Sequence, residues 1–316
     1  MIISTILLII GFVILIKGAD IFVDGASGIA THFKVSKMLI GLTIVAFGTS
    51  APELAVSIKA IVSHSGDIVL GNVIGSNILN IFLILGVSAV VHALNVKNNT
   101  VKKEIPILVL FTLLFSVLLS DSLFDISIKN SFTRSDGIIL LLFFCIFIYY
   151  LISLMRNKID NKEEENNIKI GRAIIYTILG LIGIVLGSNF VVDSAVDIAT
   201  ILGVSQRLIS LTIIALGTSL PELVTSVVST RKGEFDIAIG NVVGSNIFNL
   251  GIVIGIPVAI FGGIGTINFN YIDLITMIIA TIFLFIFSRD DYKISKREGF
   301  IFLTIFIIYY SYVLFI

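Results

Sequence analysis

Two glutamates stand deep inside apolar stretches of this chain, each at the end of a similar hexapeptide. Residues 48–53 read GTSAPE and residues 217–222 read GTSLPE, which places Glu53 and Glu222 well inside apolar runs. A charged side chain at the centre of a bilayer is unfavourable by about 2.5 to 3.5 kcal/mol on insertion scales. No Lys or Arg lies deep in a neighbouring run to neutralise either carboxylate. The pair therefore predicts a bound cation, and two negative charges favour a divalent one.

The hexapeptides also supply neutral oxygens. Pro52 and Pro221 lack an N–H, so each helix is expected to kink and to leave the carbonyls of Gly48 and Gly217 without their helical donor. Hydroxyl groups stand beside these carbonyls, on Thr49, Ser50, Thr218 and Ser219. Calcium takes about 6 to 8 oxygen ligands from carboxylates, carbonyls and water. Together the two segments offer such a set.

A second motif follows each hexapeptide and adds a polar stripe. It reads GNVIGSNILN from Gly71 and GNVVGSNIFN from Gly240. Its polar residues are spaced by four and so share one helix face: Asn72, Ser76 and Asn80, then Asn241, Ser245 and Asn249. The glycines four residues apart, Gly71 with Gly75 and Gly240 with Gly244, permit close helix approach. Such residues are often only interhelical hydrogen-bonding groups, but the whole set recurs beside a buried carboxylate, which favours an ion site.

The elements that position these residues are membrane helices. The chain has 316 residues, 57% hydrophobic and 13% charged, with a mean hydropathy of +1.09. Soluble domains carry about 25% charged residues. Ten runs are long enough to span a bilayer, which takes about 20 residues: 2–24, 36–60, 68–93, 104–120, 136–155, 172–195, 207–230, 237–261, 271–288 and 299–315. The first run lacks a basic start and a clear cleavage site, so a retained helix is favoured over a cleaved signal peptide.

The two halves of the chain are duplicated. Residues 18–90 and 187–259 align at a constant offset of 169 without a gap, and 33 of the 73 positions are identical. Five spans in each half is an odd number, so the second half must enter the membrane from the opposite side. The sequence thus predicts an all-α polytopic membrane protein of two inverted five-helix repeats, with helices 2 and 7 interrupted at the prolines. The repeats are 1–155 and 171–316, joined by a polar linker at 156–170.

The distribution of basic residues agrees with this topology. Cytoplasmic connections are enriched in Lys and Arg, and taking alternate connections gathers 16 of the 21 on one side. They are Lys34, Lys37, Lys97, Lys102, Lys103, Arg156, Lys158, Lys162, Lys169, Arg172, Arg231, Lys232, Arg289, Lys293, Lys296 and Arg297. We therefore expect a protein of the cell membrane with a cytoplasmic linker and both termini outside.

Other chemistries find little support. The single cysteine, Cys145, allows neither an intramolecular disulfide nor a thiolate metal site, and the three histidines show no ligand spacing. The net charge is zero and no glycine-rich phosphate loop follows a strand, so no nucleic acid or nucleotide is expected as a partner. No cofactor or obligate protein partner is indicated. Two buried acids sharing a proton would suit an intramembrane hydrolase, but such an enzyme does not need the hydroxyl and amide ladder.

The paired GTSxPE and GNVxGSNxxN motifs resemble the cation/calcium exchanger superfamily, and within it the sodium/calcium exchangers of prokaryotic type. The match covers spans 1 to 3 and 6 to 8. The resemblance implies four cation sites at the bilayer centre, one for calcium and the others for sodium. It assigns Glu53 and Glu222 as the calcium carboxylates, with backbone oxygens from Thr49 and Thr218. It also implies oxygen donors for sodium, which are the hydroxyls of Ser50, Ser219, Ser76 and Ser245 and the carbonyls of Ala46 and Ala215. The amides of Asn80 and Asn249 are implied to face the centre.

This chain departs from some relatives at the two amide positions. Several carry an aspartate at one of them, and potassium-dependent exchangers use an acidic residue there, whereas Asn80 and Asn249 are both neutral. This argues against potassium dependence. The linker is also too short for the cytosolic calcium-sensing domains of the animal exchangers.

The expected activity is antiport of Ca²⁺ against Na⁺ across the lipid bilayer by alternating access. Two other transport functions stay open. A carboxylate pair can release calcium to protons as well as to sodium, so H⁺/Ca²⁺ exchange on the same fold is the nearest rival. A passive channel is the other, although its filter is usually built by symmetric subunits.

Overall fold

The computed structural model describes residues 1–124, 130–156, 169–204, 209, 212–213, 215–264 and 270–315. Most of the predicted linker at 156–170 lies outside these residues, as does part of the start of the predicted span 207–230. Within the described residues, almost all regular structure is helical.

Thirteen helical segments are numbered in order along the described part of the chain. They are α1 (Ile2–Phe33), α2 (Lys37–Thr49), α3 (Ala51–Val62), α4 (Gly66–Val91), α5 (Ile105–Leu118), α6 (Asp121–Phe124), α7 (Arg134–Arg156), α8 (Ile170–Ile201), α9 (Ala215–Gly217), α10 (Leu220–Arg231), α11 (Phe235–Phe261), α12 (Tyr271–Arg289) and α13 (Lys296–Phe315). Two short strands, β1 (Leu94–Asn95) and β2 (Lys293–Ile294), pair antiparallel and join the connections before α5 and α13.

Seven of the described helices are long and apolar enough to cross a membrane: α1, α4, α7, α8, α11, α12 and α13. The bent pair α2 and α3 makes an eighth if it counts as one span. The predicted span 104–120 corresponds to α5, a 14-residue helix preceded by a π-helical turn at Thr100–Glu104. The chain is therefore an all-helical multi-pass membrane protein, and the ten-span arrangement stays a prediction.

The two longest helices, α1 and α8, pack against each other along glycine contacts. A Cβ atom built on Gly18 would lie 2.7 Å from the backbone nitrogen of Ile184, and one built on Gly187 would lie 2.5 Å from that of Leu15. Only a residue without a side chain permits this approach. Gly11 of α1 lies beside Val191 of α8, and the later Gly18 lies beside the earlier Ile184, so the helices run antiparallel.

Helices α4 and α11 form the centre of the molecule. In each, 78% of the apolar window is buried, against 33% in α1 and α8. Large apolar side chains on the outer helices, such as Ile9 and Ile178, are exposed, as a lipid-facing surface requires. Since α4 and α11 carry the second motif, its polar stripes are held away from lipid.

Candidate cation-binding site

The glutamates are positioned by two broken helices. Helix α2 ends at Thr49, and α3 begins after Ser50 at an angle of 45°. Ser219 has nearly the same backbone angles as Ser50, φ −89° and ψ 3° against φ −84° and ψ 3°, and precedes α10. Pro52 and Pro221 fall in the first turn of the new helix, where a missing N–H is tolerated. Each glutamate therefore lies in the first turn of a helix that starts inside the protein.

One of the carbonyls that the prolines deprive of a helical donor has a partner on another helix. The carbonyl of Gly217 accepts a hydrogen bond from the Ser188 hydroxyl of α8 at 3.2 Å, so a side chain replaces the donor that Pro221 removes. Ser188 was missed in the sequence because its counterpart in the first half is Ala19, so the repeat gives no signal there.

The two hexapeptides meet. Glu53 and Glu222 are each 1% exposed, and the Ser50 hydroxyl donates to Oε1 of Glu222 at 3.1 Å across 172 positions of sequence. Thr218 lies beside the Glu53 carboxylate, while Thr49 and Ser245 lie beside that of Glu222. The structure thus brings together residues from both copies around one point.

Most oxygens of this carboxylate pair make no hydrogen bond to the described residues. Both oxygens of Glu53 and Oε2 of Glu222 are buried without a partner, and none of the ion pairs in the described part of the chain involves either residue. A buried carboxylate without partners is strongly unfavourable. Three unpaired anionic oxygens in one place are the feature that a cation would stabilise.

Neutral oxygens that have no partner among the described residues lie at the start of α10 and on the helix segments that contact α3 and α10. They are the Ser219 hydroxyl and the amide oxygens of Asn80 and Asn249, all of which are buried. Asn80 and Asn249 lie in π-helical turns, at Leu79–Leu85 and Asn249–Val253, and π turns frequently occur at functional sites. Among the described residues no three His, Cys, Asp or Glu side chains cluster, so a cation here would complete its coordination with neutral oxygen.

The remaining predicted site residues differ in their surroundings. Ser76 and Ser245 are buried, and the Ser245 hydroxyl lies 3.5 Å from that of Thr49. The Ala46 carbonyl is buried and accepts from the Ser50 backbone N–H at 3.0 Å, and the Thr49 hydroxyl lies within hydrogen-bonding distance of it at 3.3 Å. Ala215, its counterpart, is exposed. The two halves are therefore not in the same environment.

Asn72 and Asn241 hold the broken helices in place. The Asn72 amide donates to the carbonyl of Glu53 and to Ser57, both at 3.1 Å. The Asn241 amide donates to the carbonyl of Glu222 at 3.3 Å and to Ser226 at 2.9 Å. These bonds satisfy backbone groups beside the carboxylates. The first asparagine of each motif is thus a positioning residue.

A second pair of asparagines joins α4 to α11. The Asn246 side chain accepts from the Asn80 amide at 2.8 Å and donates to the carbonyl of Asn77 at 3.4 Å. Asn77 and Asn246 are repeat counterparts that sequence reasoning passed over, although their identity in both copies is a signal that could have found them. They orient Asn80, whose amide oxygen stays available.

A cavity of about 620 Å³ reaches the site from one face of the molecule. Its inner wall includes Ser76, Ala215 and Thr218, and its outer part includes Asp67, Asn270, Asp273 and Tyr309. Helix α7 runs antiparallel to α11, because Gly137 packs beside Ala259 while Phe144 packs beside Gly251. The end of α7, where the linker begins, therefore lies at the face opposite the cavity mouth.

The fold defines a multi-pass helical membrane protein, and buried carboxylates among neutral oxygens are features of a cation transporter. A sequence model of the family described as "Sodium/calcium exchanger protein" matches residues 3–153 and 172–315. The chain therefore belongs to the sodium/calcium exchanger family, whose members are cation/calcium antiporters.

Individual relatives agree over the full length. The chain is 39% identical to the "Putative antiporter CaxA" of Alkalimonas amylolytica, covering 100% of this chain and 99% of that one. It is 31% identical to the "Sodium/calcium exchanger MaX1" of Methanosarcina acetivorans, covering 96% and 97%. A solved structure of the sodium-calcium exchanger NCX_Mj, soaked with 10 mM Na⁺ and no Ca²⁺, superposes with a TM-score of 0.84 at 33% identity, covering 97% of each chain.

Proposed function

We propose that this chain exchanges Ca²⁺ for Na⁺ across the cell membrane by alternating access. The observation that carries the proposal is the buried carboxylate pair of Glu53 and Glu222, three oxygens of which have no partner in the part of the chain that the structure describes. Calcium and sodium compete for oxygens that include these, so occupancy by one excludes the other. Antiport follows from that exclusion, because each ion leaves the site when the other ion, driven by its own gradient, takes its place.

The remaining ligands are proposed on the same grounds. Thr49 and Thr218 supply backbone oxygen beside calcium. Sodium takes the hydroxyls of Ser50, Ser219, Ser76 and Ser245 and the carbonyls of Ala46 and Ala215, with Asn80 and Asn249 at the centre. The unpartnered oxygens of Ser219, Asn80 and Asn249 support this assignment, because sodium needs neutral oxygens where a proton needs none.

The proposed architecture is ten spans in two inverted repeats, 1–155 and 171–316. Contacts between repeat counterparts support it. Gly18 packs on Ile184 while their counterparts Gly187 and Leu15 pack on each other, and the hydroxyls of Thr112 and Thr281, also 169 apart, lie 3.3 Å from each other. A two-fold axis across antiparallel helices produces such reciprocal contacts, and it relates halves of opposite orientation. We place the linker at 156–170 in the cytoplasm and both termini outside, so that the cavity opens outward.

The test is calcium flux in proteoliposomes loaded with sodium. At clamped pH, with an ionophore that dissipates any proton gradient, a sodium gradient is expected to drive uptake of radioactive calcium. Uptake that follows a pH gradient and does not depend on sodium would establish H⁺/Ca²⁺ exchange instead, and flux without any counter-ion would indicate a channel.

Glu53→Gln and Glu222→Gln are each expected to abolish exchange. The matched control is Glu298→Gln, which alters a carboxylate that caps α13 through Ser295. Exchange at the wild-type rate by either site variant would overturn the site assignment.

A further inference from the structure

The glycine face of α4 borders a cavity, whereas the equivalent glycine face of α11 is packed against another helix. On the cavity side, Cβ atoms built on Gly71 and Gly75 of α4 would lie within 4 Å of none of the residues that the structure describes. Their counterparts on α11 are closed, since a Cβ on Gly240 would lie 3.0 Å from the Cα of Gly41, and one on Gly244 would lie 2.9 Å from the Cα of Leu42. The cavity beside α4 thus has a packed counterpart beside α11.

An acid and a tyrosine line the open cavity away from the central site. The Tyr309 hydroxyl donates to Oδ1 of Asp273 at 2.9 Å, and both residues belong to the cavity wall. Asp273 lies in the first turn of α12, and Tyr309 comes from α13, the next helix. The carboxylate has a second oxygen beyond this bond, and Asp273 lines the same cavity as Thr218.

A similar acid–tyrosine pair is buried in the other half, although the counterpart of Tyr309 at the offset of 169 is Leu140. The counterpart of Asp273 at the offset of 169 is Glu104, directly before α5, and it accepts a hydrogen bond from Tyr150 of α7, the next long helix. Glu104 is 2% exposed, and no described residue forms a hydrogen bond with its Oε2. Asn270, which lines the cavity, corresponds to Val101, which is 3% exposed. A hydrogen bond that only joins two helices needs one oxygen of Glu104. Burial of the second oxygen without a partner is unfavourable unless a ligand binds it.

We propose that these two acid–tyrosine pairs are peripheral cation subsites, one in each half, that ions occupy on the way to the central site. Asp273 with Tyr309 serves the cavity in the described arrangement, and Glu104 with Tyr150 serves its counterpart when the linker face opens. The ligand is a hydrated calcium or sodium ion held by one carboxylate and a phenol oxygen. This inference rests on the proposed exchange, because a closed counterpart cavity has a use only if access alternates between the faces.

Face-specific kinetics test the subsites. The KM for calcium is measured separately at each face in right-side-out and inverted membrane vesicles, with the linker face identified by protease cleavage at 156–170. Asp273→Asn is expected to raise KM about tenfold at the cavity face, and Glu104→Gln about tenfold at the linker face, since loss of a focusing charge slows ion capture by at least that order. Tyr309→Phe and Tyr150→Phe keep the carboxylates and are expected to show smaller changes at the same faces.

Equilibrium calcium binding distinguishes ion subsites from side-chain pairs that only join helices. Calorimetric calcium affinity in detergent is expected to stay within twofold or so of wild type in all four variants, because Glu53 and Glu222 are untouched. Equal changes in KM at both faces, or a fall in equilibrium affinity, would show that the pairs only tie helices together and would overturn the subsites. Absence of calcium flux in the wild-type protein would instead overturn the proposed exchange.

A labelling experiment covers the case in which Glu104→Gln fails to fold. In a Cys145→Ser background, Asn270→Cys is expected to react with a membrane-impermeant thiol reagent only from the cavity face. Val101→Cys is expected to react only from the linker face, and only in ion conditions that populate the opposite arrangement. A Val101→Cys protein that exchanges calcium yet stays unreactive from the linker face in sodium, in calcium and in their absence would overturn the proposal.

Discussion

The Ser50 hydroxyl of the first broken helix donates a hydrogen bond to the Glu222 carboxylate of the second at 3.1 Å. This bond joins the two copies of the hexapeptide at the point where their helices are interrupted. Among the described residues, the other oxygen of Glu222 and both oxygens of Glu53 have no hydrogen-bond partner. One copy therefore orients the carboxylate of the other.

Replacing Ser50 tests that relationship. Ser50→Ala removes a hydrogen bond to a charged group, which contributes about 1.5 to 3 kcal/mol, so calcium binding is expected to weaken by about 10- to 150-fold. Isothermal calorimetry in detergent measures it. Ser116→Ala is the control, because that buried hydroxyl bonds only to a carbonyl of its own helix at 2.7 Å. Equal effects of the two substitutions would contradict the role of Ser50.

The two positioning asparagines are expected to differ in their effects. Asn72→Ala and Asn241→Ala each remove bonds to the carbonyl of a glutamate and to a serine, but Asn241 also accepts from Thr49 at 3.0 Å and is 0% exposed. Loss of the Asn241 side chain thus leaves more buried groups unpaired, at about 1 to 3 kcal/mol for each such group. Thermal melting in detergent should therefore rank Asn241→Ala below Asn72→Ala, and the reverse order would be evidence against this account.

The unequal glycine faces predict unequal tolerance of a methyl group. Gly244→Ala would place its Cβ 2.7 Å from that of Ala46, and overpacking of this kind costs about 1 to 3 kcal/mol. Gly75→Ala has open space in the described arrangement, so its melting temperature should match that of wild type. Its exchange rate should still fall, because closing the cavity needs that space. A Gly75→Ala protein with wild-type exchange would rule out closure on this face of α4.

An ion-pair cluster joins α1 to the end of α10 at the linker face. Lys232 binds Asp20 at 2.8 Å and Asp24 at 2.7 Å, while the counterparts of Lys232 and Asp20 in the other half are Ser63 and Asn189. Partly exposed pairs are worth about 0.2 to 1 kcal/mol, so Lys232→Ala is expected to favour opening of the linker face by up to about fivefold. Labelling of Val101→Cys from that face measures the shift. Lys59→Ala, at the opposite face, is the control and should leave labelling unchanged.

The pH dependence of this cluster follows from the pKa of Lys232. Burial lowers that pKa, but hydrogen bonds to Asp20 and Asp24 outweigh the burial and raise it above its ordinary value. The contribution of the ammonium group is therefore fully present below about pH 10.4, the ordinary lysine pKa, and is lost as the pH rises through the raised value. Lys232 therefore stays charged near neutral pH and should cause no change in the labelling of Val101→Cys there. A change in labelling between about pH 7 and about pH 8 that disappears in Lys232→Ala would contradict this.

Much of the site could be predicted because its residues recur. Glu53 and Glu222 are anomalous in an apolar run, and the offset of 169 identifies a matching hydroxyl, amide and glycine for almost every position near them. Ser188 escaped because it has no polar counterpart, and its bond to the Gly217 carbonyl depends on how α8 packs against α9. The span boundaries were also set too short for α1 and α8, because both helices continue past the apolar core through residues that other helices bury.

The sequence by itself determined the membrane setting, the duplication and the pair of carboxylates, because hydropathy, identity at a fixed offset and misplaced charge are local properties of the chain. Only the tertiary structure decided which oxygens stay free and which are already bonded, since that depends on contacts such as Ser50 with Glu222 and Asn80 with Asn246. It also decided that two nearly identical faces differ, with Gly75 open and Gly244 packed. The glycines are identical in the two copies of this motif and so give no sign of the difference, which arises from the packing between the halves.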